Sequence, residues 1–214
     1  MDGRGYIATE FLVLRLTPYS DTSLVVAGLS PDQGRLGFLV RGARRLGPRQ
    51  FPVLDLFRVL RVTYRDTRAE LHRLTSAELI VDHGRLAQCY PSFQAAEWLA
   101  RFVLANVLPG IGQEGLFTAF RAGLGRLSGD GEAETGQAQA DSVVTGVLLA
   151  YLQEAGWLAD HEQDEASARQ CRALLEMAAG RQAAPRLTAS NWRDLRNWAA
   201  GLARAAECQV PDGG

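Results

Sequence analysis

Residues 35–42 read Arg35-Leu36-Gly37-Phe38-Leu39-Val40-Arg41-Gly42, and their two-residue alternation decides the fold of the first part of the chain. Leu36, Phe38 and Val40 share one face of an extended segment, while Arg35, Gly37, Leu39 and Arg41 share the other. The first set can fill the interior of a small barrel. The second presents two arginines beside a glycine, where another backbone could approach closely. The segment then runs into Gly42-Ala43-Arg44-Arg45, and from Gln33 to Leu54 there are five arginines and no acidic residue.

Working outward, the first 80 residues predict five short strands separated by turns. These are Glu10 to Leu16, Ser23 to Leu29, Arg35 to Gly42, Val53 to Tyr64 and Glu70 to Thr75, with Pro18-Tyr19-Ser20-Asp21 and Ser30-Pro31-Asp32-Gln33-Gly34 as turns. Five strands in that length indicate a small closed or half-closed barrel. An OB-fold fits the count, and so does an SH3-like barrel. In the fourth strand Arg58 falls on the apolar side, which a bulge or strong bend would explain.

Beyond Ser76 the periodicity becomes helical. Helical stretches are predicted over Val81 to Cys89, Ser92 to Asn106, Gly115 to Leu127, Asp141 to Ala155, Ala166 to Ala179 and Ser190 to Cys208. Gly156 suits the position just past a helix end. The stretch 128–141 is acidic, rich in Gly and Ala and aperiodic, so a flexible loop is expected there. The fold class is therefore α+β multidomain, with a five-stranded OB-type barrel over residues 1–80 and a helical domain over 81–214.

The chain of 214 residues carries a net charge of −1, yet the charge is unevenly spread. Residues 1–80 hold 12 arginines against 8 carboxylates, whereas residues 81–214 hold 11 against 16. All the basic residues are arginine, whose planar fork suits phosphate better than the lysine ammonium does. Such asymmetry points to a polyanion at the first half. Phosphate contact is assigned to Arg35, Arg41, Arg44, Arg45 and Arg49. Phe51 and Tyr64 are the candidates for stacking on bases, and Phe38 is assigned to the core.

Other chemistries find little support. Three widely separated cysteines form no C-x-x-C pair, and three histidines lack ligand spacing, so no metal is expected. There is no Walker A loop, G-x-G-x-x-G or G-x-S-x-G, so neither a cofactor nor catalysis is expected. The longest apolar run, Val147 to Leu152, is far too short to span a bilayer. Trp98, Trp157, Trp192 and Trp198 are assigned to core packing, with a groove for a partner peptide as the alternative for one of them.

In order along the chain, several segments resemble the RecO family of bacterial recombination mediators. They are Phe11-Leu12-Val13-Leu14-Arg15, Pro18 to Leu24, Leu29 to Arg35, Val40-Arg41-Gly42-Ala43-Arg44-Arg45 and Glu70 to Glu78. The Gly-Ala-Arg after a strand is the most specific, and the first 80 residues carry most of the match. The resemblance implies an N-terminal OB-fold and a mostly helical second domain. It further implies binding of single- and double-stranded DNA, annealing of complementary strands, and cooperation with RecR in loading RecA onto coated strands. The tail of the single-stranded-DNA-binding protein is an implied partner, and a cytoplasmic, nucleoid-associated location follows. DNA contact carries over onto Arg35, Arg41, Arg44 and Arg45. Many family members hold a four-cysteine zinc site after the helix that here ends Gly156-Trp157-Leu158; this chain has Ala159-Asp160-His161 instead. The alternative reading is an OB-fold RNA-binding or protein-adaptor module without annealing activity.

Overall fold

A computed structural model of the chain describes residues 5–43, 53–67, 69–129, 136–158 and 165–212. Five strands lead: β1 (Tyr6–Pro18), β2 (Leu24–Ser30), β3 (Gly34–Val40), β4 (Val59–Arg65) and β5 (Arg73–Val81). They form one antiparallel sheet in the order β3-β2-β1-β4-β5. The sheet closes through a parallel seam between β3 and the residue that precedes β5. Leu39 N–H donates to the His72 carbonyl at 3.1 Å, and His72 N–H donates to the Gly37 carbonyl at 2.9 Å. This strand order and parallel seam select the OB-fold from the two small barrels that five strands allowed.

Alternation fills the barrel. Phe11, Val13, Val26, Leu36, Phe38, Val40, Leu60, Val62, Tyr64 and Leu74 form one buried cluster. At its centre Phe38 meets Phe11 edge-on at 5.0 Å and Tyr64 at 5.3 Å between ring centroids, the offset geometry that aromatic quadrupoles favour.

Several expected elements differ, and the fifth strand, expected over Glu70 to Thr75, runs Arg73–Val81. The predicted strand from Val53 becomes a strand only at Val59, because the chain turns sharply at Phe57, whose φ is +59°. That left-handed conformation is uncommon for a bulky residue. It is held here by the Phe57 N–H on the Val13 carbonyl, 2.9 Å, and the Val13 N–H on the Arg58 carbonyl, 3.0 Å. Arg58 therefore lies ahead of the strand and out of its phase, and its guanidinium pairs with Asp82 at 2.9 Å. The predicted helix over Val81 to Cys89 is the end of β5 followed by a short 3₁₀ turn at Gly84–Gln88.

Among the described residues five helices follow: α1 (Tyr90–Asn106), α2 (Glu114–Leu127), α3 (Gly136–Glu154), α4 (Glu165–Ala178) and α5 (Ala189–Ala205). The central one is α3, which packs against the other four and has little polar surface of its own. Its buried Asp141 accepts from Arg196 at 2.9 Å and from Gln137 at 3.0 Å, so the charge is paired as burial requires. Helix α3 starts five residues before the expected Asp141, so 136–140 of the anticipated loop are helical, and the loop's residues 130–135 lie outside the described residues. Trp98 and Trp192 are buried, but Trp157 is 50% and Trp198 39% exposed, contrary to the core role expected for all four tryptophans.

The chain divides into two compact units. One comprises residues 1–84 together with Val107–Gly112; the other comprises Arg85–Asn106 and Gln113–Gly214. The returning segment is tied to the barrel by Arg35 N–H on the Leu108 carbonyl, 3.3 Å, and by Gly110 N–H on the Gln33 carbonyl, 2.8 Å. Among the described residues, no helix is long and apolar enough to cross a membrane.

Candidate nucleic-acid interface

The side of β3 facing away from the core carries the first of the sequence-predicted contacts. Arg35 is half-buried near the start of the strand, and Arg41 is exposed just past its end. Six residues of extended chain separate them, about 20 Å at ~3.3 Å per residue. The two arginines therefore mark opposite ends of one edge of the barrel and are not a cluster by themselves. Arg44, Arg45, Arg49 and Phe51 lie outside the described residues.

Gly37, between the two arginines, is not open to an incoming backbone as the sequence reading expected. A Cβ there would meet Leu71 Cδ2 at 2.8 Å and the Glu70 carbonyl at 3.4 Å. The glycine serves the barrel's own closure, because the chain at 70–72 crosses over it to form the parallel seam.

Tyr64 is not a stacking residue. It is 1% exposed, with its ring between Phe38 and His72, the latter 5.0 Å away. Burial, reinforced by the Asp66 and Asp32 carboxylates, pushes its phenol above the ordinary value. An enclosed ring cannot receive a base without the barrel opening.

The aromatic that accompanies Arg41 is one the sequence reading passed over. Pro18, Leu24 and Val40 are neighbours in register across β1, β2 and β3. Tyr19 and Arg41 each follow one end of that row, so they emerge at the same end of the barrel, within about 10 Å for strands spaced ~4.8 Å apart. Tyr19 is 68% exposed. Its turn is held by Tyr19 N–H on the Ser23 carbonyl at 3.0 Å. The local signal was present in Pro18-Tyr19-Ser20-Asp21, since a turn tip in an antiparallel pair points its residues to solvent.

An exposed arginine leading into an arginine-rich, acid-free stretch, with a free aromatic ring at the same barrel end, can bind phosphates and stack on bases. Among the described residues no group of His, Cys, Asp and Glu could hold a metal ion.

Comparison with known proteins places the first unit in context. The family model described as Recombination protein O N terminal matches residues 2–82. A protein of Cupriavidus pinatubonensis named DNA repair protein RecO is 31% identical over 153 residues, covering 71% of this chain and 48% of its own length. Proteins of the same name from Gloeobacter violaceus and Rhodopirellula baltica are 34% and 31% identical. They match over 60% and 56% of this chain and over 48% and 45% of their own lengths. The chain thus matches about half the length of these curated relatives.

Proposed function

The chain belongs to the RecO family, and on that premise we propose that it acts in DNA repair by binding single-stranded DNA through its OB barrel. The observation that carries the reading is the concentration of charge at one strand end. Arg41 is exposed beyond β3 and opens onto Arg44, Arg45 and Arg49, with no carboxylate in the sequence between Gln33 and Leu54. Tyr19 at the same barrel end supplies a ring for base stacking. Double-stranded DNA, sharing the same phosphates, is a second ligand of this surface.

Binding two complementary strands at such surfaces brings them together, and the protein anneals them. With RecR it helps RecA onto single strands already coated by the single-stranded-DNA-binding protein, whose tail it contacts. Neither step requires bond chemistry from this chain, which works as a binding protein without catalysis or cofactor, in the cytoplasm at the nucleoid.

The test is annealing of labelled complementary oligonucleotides, naked and pre-coated with the single-stranded-DNA-binding protein. Wild type accelerates both; acceleration of neither rejects the reading. An equal preference for structured RNA turns it toward an RNA-binding module. The double variant Arg44→Ala/Arg45→Ala binds single strands more weakly, and its log–log salt slope flattens by about 1.4, at ~0.7 per lost contact. Unchanged affinity and slope remove those two residues from the interface.

A further inference from the structure

Tyr6 opens β1, Arg65 closes β4 and Arg73 opens β5, and the three lie in one row across the sheet. Tyr6 pairs with Arg65, and Arg65 pairs with Arg73. Residues directly opposite on antiparallel strands project to the same face. All three are exposed, Tyr6 to 70%. At ~4.8 Å between strands the row spans about 10 Å.

The arrangement works against the stability of the sheet. Like charges directly opposite one another are unfavourable, and among the described residues no carboxylate lies within ion-pair distance of Arg65 or Arg73. Asp66, next in sequence to Arg65, is directed to His72 at 3.5 Å. Further along the same face the pattern is the reverse. Arg61 stands in register between Glu10 and Glu78, so a carboxylate residue lies opposite it on each neighbouring strand. The face therefore sets one arginine opposite acidic residues and two others opposite each other, beside an uncovered aromatic ring.

Two unneutralised guanidinium groups ask for an anion, and a flat exposed ring beside them asks for a planar partner. A polymer of phosphates carrying unstacked bases supplies both, whereas a duplex keeps its base faces covered. We propose that Tyr6, Arg65 and Arg73 form a second contact for single-stranded DNA, with a base on the Tyr6 ring and phosphates on the two arginines. This contact rests on the reading that the chain binds single strands. It is separate from the arginine-rich stretch, because Tyr6 and Tyr19 flank opposite ends of the 13-residue β1.

The experiment is anisotropy of labelled oligo(dT) with the full chain over a salt series. Arg65→Ala/Arg73→Ala weakens binding and flattens the salt slope by about 1.4, at ~0.7 per contact. Tyr6→Ala weakens binding about 5- to 150-fold with the slope unchanged, the range that stacking on one base supplies, and Tyr6→Phe restores wild-type affinity. Arg73→Glu raises the melting temperature by replacing repulsion with attraction, yet binds DNA more weakly. A merely structural role would move stability and binding together. Circular dichroism checks that each variant is folded. If Arg44→Ala/Arg45→Ala weakens binding but the Tyr6 and Arg65/Arg73 variants match wild type, the second contact is overturned and the family reading stands. If wild type itself fails to bind oligo(dT), both are overturned.

Discussion

Thr9 is 6% exposed, and its hydroxyl stands 2.8 Å from that of Ser30 while donating to Asp32 Oδ2 at 2.9 Å. Ser30, fully buried, also accepts from the Gln33 backbone N–H at 3.3 Å. Thr9→Val keeps the shape but leaves the Ser30 hydroxyl proton without its acceptor, an unmade bond that costs about 1–3 kcal/mol. Chemical denaturation will show that loss, and Thr9→Val/Ser30→Ala will recover only part of it, since the stranded hydroxyl is gone but the Gln33 N–H loses its 3.3 Å acceptor. A single variant as stable as wild type would mean the hydroxyl pair contributes nothing. Tyr64 carries a lesson at the same scale. Leu60, Val62 and Tyr64 alternate with Arg61, Thr63 and Arg65, so the period that put Phe38 inside puts Tyr64 inside too. Its neighbouring arginines suggest stacking, but its phase along β4 places it in the core. The same phase sends Arg61 and Arg65 outward, but only the cross-strand register shows that one stands opposite two acidic residues and the other opposite Arg73.

Among the elements, β1 and β2 depend on one glycine. Their register shifts between Val13 and Arg15. Opposite that irregularity, a Cβ on Gly28 would meet the Leu12 carbonyl at 2.0 Å and Phe11 ring atoms at 2.7 Å. A backbone oxygen within a sheet cannot step aside, so Gly28→Ala forces the strands apart, at about 1–3 kcal/mol or more. Gly37→Ala meets the tip of Leu71, which can rotate away, and is expected to cost less. Urea midpoints should fall in the order wild type, Gly37→Ala, Gly28→Ala; equal midpoints for the two variants would contradict the steric argument. Strand and helix identities were legible where the period was clear, as in β2, β3, α2, α4 and α5. They were misread where it was not. Leu79-Ile80-Val81 is a short apolar run that fits helix or strand alike, and pairing of Val81 with Val59 decides it. The first turn of α3, Gly136 to Ala140, has no apolar period of its own; Gly136 and Ala140 are buried, and the Gln137 and Gln139 amides donate to Asp141 and to the Arg126 carbonyl.

For the molecule as a whole, acid stability of the barrel unit turns partly on Asp82. The hydrogen bond from Arg58, joined by the Gly84 N–H, holds its carboxyl below the usual carboxylate value. A depressed folded pKa stabilises above the unfolded value and loses that contribution as pH falls toward and through the folded one. Asp82 is 42% exposed, so solvent screening keeps the effect small. Asp82→Asn should therefore lose less melting temperature than wild type between about pH 5 and about pH 3. An identical pH dependence would show that the pair adds nothing net. At this scale the change of period from two to three or four residues beyond Ser76 is legible along the chain. The return of Val107–Gly112 to the barrel is not, because its ties are backbone hydrogen bonds that carry no side-chain signature.

By itself the sequence determined that the chain opens with a small β barrel and continues in helices, and that arginine without compensating acid gathers after the third strand. Those properties are local, set by alternation and composition along the chain. Only the tertiary structure decided how the barrel closes, that Tyr64 is enclosed while Tyr6 and Tyr19 are free, and that Arg65 faces Arg73 whereas Arg61 faces glutamates. Closure and register depend on which distant strands pair, and a residue's neighbours across a sheet are fixed by that pairing rather than by its neighbours in sequence.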